Sequence, residues 1–364
     1  MNDIESPSHK ESSMVSHLLG ELTKDQTELI KAFALFLMIF GHVLLANLPG
    51  YSLVIFGKDI KPYLYEISGI CVPLFAFISG YGLCLSYSKE KDLGTTYRST
   101  FKRILKFWLA YCLIFLCVFF PFVLASGSFT WEQFGITFTG WSGYVPYSWY
   151  VWFYVLALLI LPLVSRLLNG NRWLALGMAF GPFLLVYLIL ALTAQSWMHY
   201  DITVRCVHMM ICMLFGYVMA RHSFFTYIAA VVKRRWLLNL ISAVLFLGLL
   251  FVYILTFLGV LYCFLLIPLV FLLNALTSHH LVVWINVPLR FVGKESMMYW
   301  FLHGFFVAQY VNSVFPASAL VSWAYSAIAI TLVVILFISP FAYGFSWVQK
   351  IINGVIDKIF RPRR

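Results

Sequence analysis

Ten apolar stretches, each long enough to cross a bilayer, leave this chain little length for anything else. A helix needs about 20 consecutive apolar residues to span the hydrocarbon core. Such segments lie at roughly 29–49, 64–87, 103–125, 147–168, 173–194, 201–220, 236–257, 259–277, 296–315 and 320–346. Composition agrees: 62% of the residues are hydrophobic and 11% charged, against roughly 45–50% and ~25% in a soluble domain. The sequence therefore reads as an all-α, polytopic integral membrane protein with about ten transmembrane helices. The weakest boundary is a turn placed near Gly259; without it 236–277 is one apolar run and the count is nine.

Basic residues orient the chain. With ten spans and the N-terminus inside, only Lys58, Lys61 and Arg205 of the 25 Lys and Arg fall on the outer side, and Lys31 lies within the first span. This follows the positive-inside rule and places both termini in the cytoplasm; nine spans would put the basic C-terminus outside. The net charge of +11 is thus read as topology, and nucleic acid is not expected as a partner. Residues 1–27 are polar, so they read as a mobile cytoplasmic tail without a cleavable signal peptide. Residues 28–348 form the transmembrane domain, and 349–364 a basic cytoplasmic tail.

Several chemistries are disfavoured. Of the 14 Asp and Glu, only Glu66 and Asp201 come near the core of a span, both at outer ends. Cation-coupled carriers typically use carboxylates at mid-membrane, and carboxylate-pair hydrolysis also needs them. The seven cysteines form no CxxC pair, so neither a disulfide framework nor a metal site is expected.

What remains is cationic, aromatic and imidazole. In the stretch ELIKAFALFLMIFGH, Lys31 and His42 are 11 positions apart. Three helical turns separate them, so both project from one face, His42 about 16 Å further along the axis. Ionisable groups at such depth usually face a cavity or a partner. The plainer reading is a lysine reaching the interface and a histidine bonded to a neighbouring helix. His303 lies within MMYWFLHGFF, and His208 follows Arg205 by three positions. A membrane-buried imidazole can act as a general base, because its pKa lies near operating pH; His303 can equally satisfy a backbone group. The run YRSTFKRILKFW, with Arg98, Lys102, Arg103 and Lys106, is a cytoplasmic anchor or a site for an anionic donor such as coenzyme A. Trp131, Trp141, Trp149 and Trp152, in and beside the outer loop 126–146, read as an interfacial belt or as a stacking surface for a sugar.

An ordered set of such elements resembles the membrane-bound acyltransferase-3 family over roughly residues 28–345. The elements are Glu28, Lys31 and His42; PLFAFISGYGL with Phe77, Ser79, Gly80 and Tyr81; Arg103 and Lys106 before Phe107 and Trp108; Trp152 and Phe153; Phe215, Gly216 and Arg221; and GKESMMYWFLH with Gly293, Lys294, Ser296, Tyr299 and His303. The resemblance implies transfer of an acyl group, usually acetyl from acetyl-CoA, to hydroxyls of bacterial surface glycans or their lipid-linked precursors. It implies a multi-pass protein of the bacterial plasma (inner) membrane that meets acyl-CoA, a glycan or lipid-linked sugar, and membrane lipids. Carried over residue by residue, His42 becomes the catalytic base or a transient acyl carrier. Lys31, Arg103 and Lys102 hold the donor's phosphates or polarise the thioester. Ser296, Tyr299 and His303 line or support the same cavity, Glu28 is a further substrate-binding or supporting residue, and Arg205 and Trp152 bind acceptor on the outer side. The family's usual arginine is Lys31 here, which keeps the charge and loses the bidentate fork. The competing classes are a carrier or flippase for lipid-linked sugars that catalyses nothing, and a sensor or structural membrane component.

Overall fold

A described helix overlaps each of the ten apolar stretches. The computed structural model describes residues 22–45, 54–55, 58–141, 143–145, 148–193, 200–256, 261–277, 283–314 and 324–360. In chain order the helices are α1 (Lys24–Leu45), α2 (Lys61–Ser68), α3 (Cys71–Tyr87), α4 (Leu93–Ile114), α5 (Phe120–Ala125), α6 (Trp131–Phe138), α7 (Trp149–Leu168) and α8 (Arg172–Thr193). They continue as α9 (Tyr200–Arg221), α10 (Phe224–Val232), α11 (Arg235–Thr256), α12 (Leu261–Thr277), α13 (Val283–Lys294), α14 (Ser296–Val314) and α15 (Ala324–Ile359). A two-residue antiparallel ladder, Val54 opposite Asp59 and Ile55 opposite Lys58, precedes α2.

Among the described residues, six helical spans are long and apolar enough to cross a membrane, and seven if the pair 205–221 and 224–232, bent by 65°, is one span. α12 is apolar but shorter. The apolar run 236–277 is indeed two helices, separated at 257–260, which lie outside the described residues. Three helices fall where the sequence suggested loops: α6, α10 and α13. Of the N-terminal tail, residues 1–21 lie outside the described residues; α1 already begins at Lys24. At the other end α15 runs without a break past the boundary drawn at 348, reaching Ile359. Its 36 residues extend for about 54 Å, more than the ~30 Å of hydrocarbon.

Local sequence explains the irregular points. Asp92 opens α4 with a reciprocal cap: its side chain accepts from the Thr95 backbone N–H, and the Thr95 side chain accepts from the Asp92 N–H. This satisfies donors that a helix start leaves orphaned. Between α4 and α5 the helix widens to a π-turn over Phe115–Phe119, where the Phe120 N–H reaches back to the Phe115 carbonyl. Pro121 follows, with no N–H to give and a ring that clashes with the preceding turn. The widened turn accommodates it without breaking the span.

α1 is the central helix. It packs against α2, α3, α12, α13, α14 and α15, with Ile30, Ala34, Leu35, Met38 and Ile39 fully buried. The most extensive helix pair is α3 with α9. Here Gly80 lies on the Met213 carbonyl and Gly216 on the Phe77 carbonyl, and a Cβ at either would overlap the facing backbone. Small residues permit such backbone contact where lipid offers no hydrophobic drive to association. A third glycine, Gly293 of α13, sits against the Glu28 carbonyl of α1 in the same way. These contacts hold α3 against α9 and α13 against α1; α1, α3 and α9 each contribute side chains to the site.

Candidate active site

His42 and His303 come together. His303 Nε2 lies 3.0 Å from His42 Nδ1, and the rings are nearly parallel with centroids 4.9 Å apart. His303 is 1% exposed, and its Nδ1 bonds the Trp300 carbonyl one turn earlier. A carbonyl only accepts, so the His303 proton sits on Nδ1. With both rings neutral, His303 Nε2 then accepts from His42 Nδ1–H, and the lone pair of His42 is placed on Nε2. This is the tautomer in which His42 can take a proton.

The pair lines a cavity of 330 Å³ whose walls include Glu66, Trp149, Arg205, His208, Tyr262 and Trp300. A second cavity, of 170 Å³, is lined by Lys31, Phe75, Ser79, Tyr150, Tyr154 and Ser296, with Trp300 again among its walls. Lys31 and His42 share a helix face, yet they open into different spaces.

The other residues singled out in the sequence divide between these cavities and the scaffold. Arg205 stands in the histidine cavity and Ser296 in the lysine cavity. Arg103 donates from Nη2 to Ser86 Oγ at 3.1 Å and lies beside the Tyr154 hydroxyl, at the edge of the lysine cavity. Lys102 lines neither cavity; it and Lys106 pair with Asp357 of α15 at 2.8 and 2.5 Å. Glu28 is buried and faces Lys24 at 3.9 Å and Arg290 of α13 at 3.8 Å, so it ties α1 to α13. The buried Tyr299 shares a 2.6 Å hydrogen bond with Ser339, joining α14 to α15 behind the dyad. Trp152 lines neither cavity and stands edge-to-face against Trp141, centroids 5.8 Å apart.

Glu66 is the residue whose place the sequence concealed. It reads there as an outer-end carboxylate. In the fold its Oε2 accepts from the Tyr253 hydroxyl at 3.2 Å, Tyr253 is bonded in turn to Tyr262 at 2.5 Å, and Glu66 and Tyr262 both face the His42 cavity. The signal available was that Glu66 is one of just two carboxylates near a span.

A family model described as an acyltransferase domain, that of the acyltransferase-3 family, matches residues 25–347. The chain belongs to this family. No curated protein matches it. Within the acyltransferase domain, the resembling elements now separate by physical role. His42 and His303 form a hydrogen-bonded pair, and Lys31, Ser79 and Ser296 face the adjoining cavity. Gly80, Gly216 and Gly293 are contact points between helix backbones. Helical spans and family together describe a multi-pass membrane acyltransferase.

Proposed function

We propose that the chain is an O-acyltransferase that moves an acyl group, acetyl in the first instance, from cytosolic acyl-CoA to a hydroxyl of a surface glycan or its lipid-linked precursor. On this reading it is an inner-membrane protein of a bacterium with both termini cytoplasmic. The observation that carries the proposal is the His42–His303 pair, held in one tautomer at the wall of a cavity that also presents a carboxylate, an arginine and tryptophan faces. Carboxylate and guanidinium suit the many hydroxyls of a sugar, and indole faces suit its apolar ring surface.

The chain's own groups supply the proton path. His42 Nε2 removes the proton of the acceptor hydroxyl as that oxygen attacks the thioester carbonyl carbon. The developing charge is spread through His42 Nδ1–H to His303 Nε2, which stays an acceptor because its Nδ1–H is held by the Trp300 carbonyl. Collapse of the tetrahedral intermediate breaks the C–S bond. The departing sulfur takes the proton from His42, so an ester and a free thiol leave and the imidazole is neutral again.

The donor side fits an anion. Lys31 stands in the wall of the smaller cavity, and Arg103 is oriented by Ser86 at its edge. Lys31 lies about 16 Å from His42 along α1, so its part is to hold the donor's charged portion, with the thioester reaching toward His42. Arg205, Glu66 and Trp149 serve the acceptor. Lys102, paired with Asp357, contributes to the positive field near the donor rather than to a direct contact.

The deciding experiment is mass spectrometry of host surface glycans after deletion of the gene and complementation with wild type or His42→Ala. The expected result is an ester on one sugar that vanishes on deletion, returns with wild type and stays absent with the variant. Glycans that keep every acyl group but lose length or amount would instead indicate a carrier.

A further inference from the structure

The two cavities have a common wall. Of the residues that line them, Trp300 borders both, with His42, His303 and Arg205 on one side and Lys31, Ser79 and Ser296 on the other. Its indole is held from the lysine side, by the Tyr150 ring at 4.6 Å and, edge-to-face, by Phe75 at 5.1 Å. From the histidine side the His303 ring stands 6.3 Å away at 74°. The backbone carbonyl of the same residue fixes the His303 tautomer. Position 300 thus contributes a backbone atom to the dyad and a side chain to the partition. The two contributions can be separated by substitution, because the carbonyl remains whatever side chain is present.

We propose that the Trp300 indole is the partition between donor and acceptor compartments, that it sets the length of acyl group able to reach His42, and that it keeps water of the larger cavity from the thioester. The inference rests on the acyltransferase reading above. A thioester whose carrier is held on the Lys31 side meets a hydroxyl at His42 only past the edge of this ring. A short, flat acyl group passes between the indole and its aromatic neighbours, and each added methylene meets the ring. A pocket that discriminates one methylene does so by about 10- to 200-fold. With the ring removed the cavities merge, and water can replace the acceptor. Its oxygen bonds to the acyl carbon, its proton passes through His42 to the departing sulfur, the C–S bond breaks, and a carboxylic acid and free CoA thiol result.

The test uses the purified full chain in detergent as wild type, Trp300→Phe, Trp300→Ala and the double variant His42→Ala/Trp300→Ala. Acetyl-, butyryl- and hexanoyl-CoA are the donors, and a membrane glycolipid extract from cells lacking the chain is the acceptor. Thiol release is followed with and without the extract, and ester formation by mass spectrometry. In the wild type, release should need the extract and fall steeply from acetyl to butyryl. In Trp300→Ala, release without extract should rise relative to transfer, the preference for acetyl should flatten by about tenfold or more, and adding His42→Ala should abolish the extract-independent release. Trp300→Phe keeps an aromatic ring against Tyr150 and should fall between the two, so it decides the matter if the alanine variant does not fold. An unchanged release-to-transfer ratio and an unchanged chain-length profile in folded variants overturn the partition while leaving the acyltransferase reading intact. Absence of any transfer by the wild type overturns both.

Discussion

Replacing His303 by alanine removes a group that the proposed chemistry uses only through another residue, and this makes the size of the loss informative. In the resting site His303 Nε2 accepts from His42 Nδ1–H across 3.0 Å. In the transition state that bond is to an imidazolium, and a hydrogen bond to a charged group is worth about 1.5–3 kcal/mol. Converted to rate, this is a loss of about 10- to 150-fold. His42→Ala removes the general base itself and should cost about 10²–10⁴. If the two act as one unit, the double variant falls no further than His42→Ala alone, because His303 has nothing left to orient. His303→Gln retains an amide oxygen able to accept from His42 and should recover part of the loss. The assay is thiol release from acetyl-CoA by purified protein given a membrane glycolipid extract, with ester formation confirmed by mass spectrometry. A double variant whose loss is the product of the single losses, or a His303→Ala variant with wild-type rate, refutes the coupled pair. Equal tolerance of Gln at both positions would favour the carrier.

Other outcomes follow from the same geometry. Gly80→Ala and Gly216→Ala each drive a Cβ into a facing backbone and should lower stability by at least about 1–3 kcal/mol, read as a drop in thermal midpoint in detergent. Gly82→Ala, two residues along α3 with nothing within 4 Å, is the neutral control. Lys31→Ala and Arg103→Ala should raise KM for acyl-CoA more than they lower kcat, while Lys102→Ala, whose partner is Asp357, should leave that KM nearly unchanged. Steady-state kinetics with varied donor separate these cases. Glu66→Gln should raise KM for the glycan acceptor and leave the donor KM in place; a change confined to the donor would remove Glu66 from the acceptor site.

The positions of the helices were legible because membrane crossing imposes a length and an apolar composition that survive in a one-dimensional reading. The 11-residue spacing of Lys31 and His42 was legible too, since it lies within one helix. Their separation into two cavities was not, because Trp300, the wall between them, is brought in by a distant helix. The partner of His42 was visible only as one buried histidine among several. Positions 42 and 303 are joined by packing of α1 against α14, which no local pattern encodes. Glycine was the least legible signal. Gly80, Gly216 and Gly293 stood inside elements that resembled a family's motifs, and nothing in the sequence separated a backbone contact from a catalytic contact.

The lysine at position 31 takes on a different meaning once the cavities are placed. As a sequence departure it weakens any role that needs a planar, bidentate donor on the reacting carbonyl. That role is not the one the fold offers it. Lys31 opens into the smaller cavity, about 16 Å along α1 from His42, behind the Trp300 ring. On the proposed function, that distance assigns Lys31 to the donor's carrier portion and not to the atoms that exchange bonds. A flexible point charge satisfies a phosphate there without a fixed fork, and Arg103, fastened to Ser86, supplies the planar donor nearby. Lys31→Arg should therefore leave kcat within a few-fold of wild type and change chiefly the donor KM. A collapse of kcat in that variant, with donor affinity unaltered, would place position 31 at the thioester and contradict the division of labour between the two cavities.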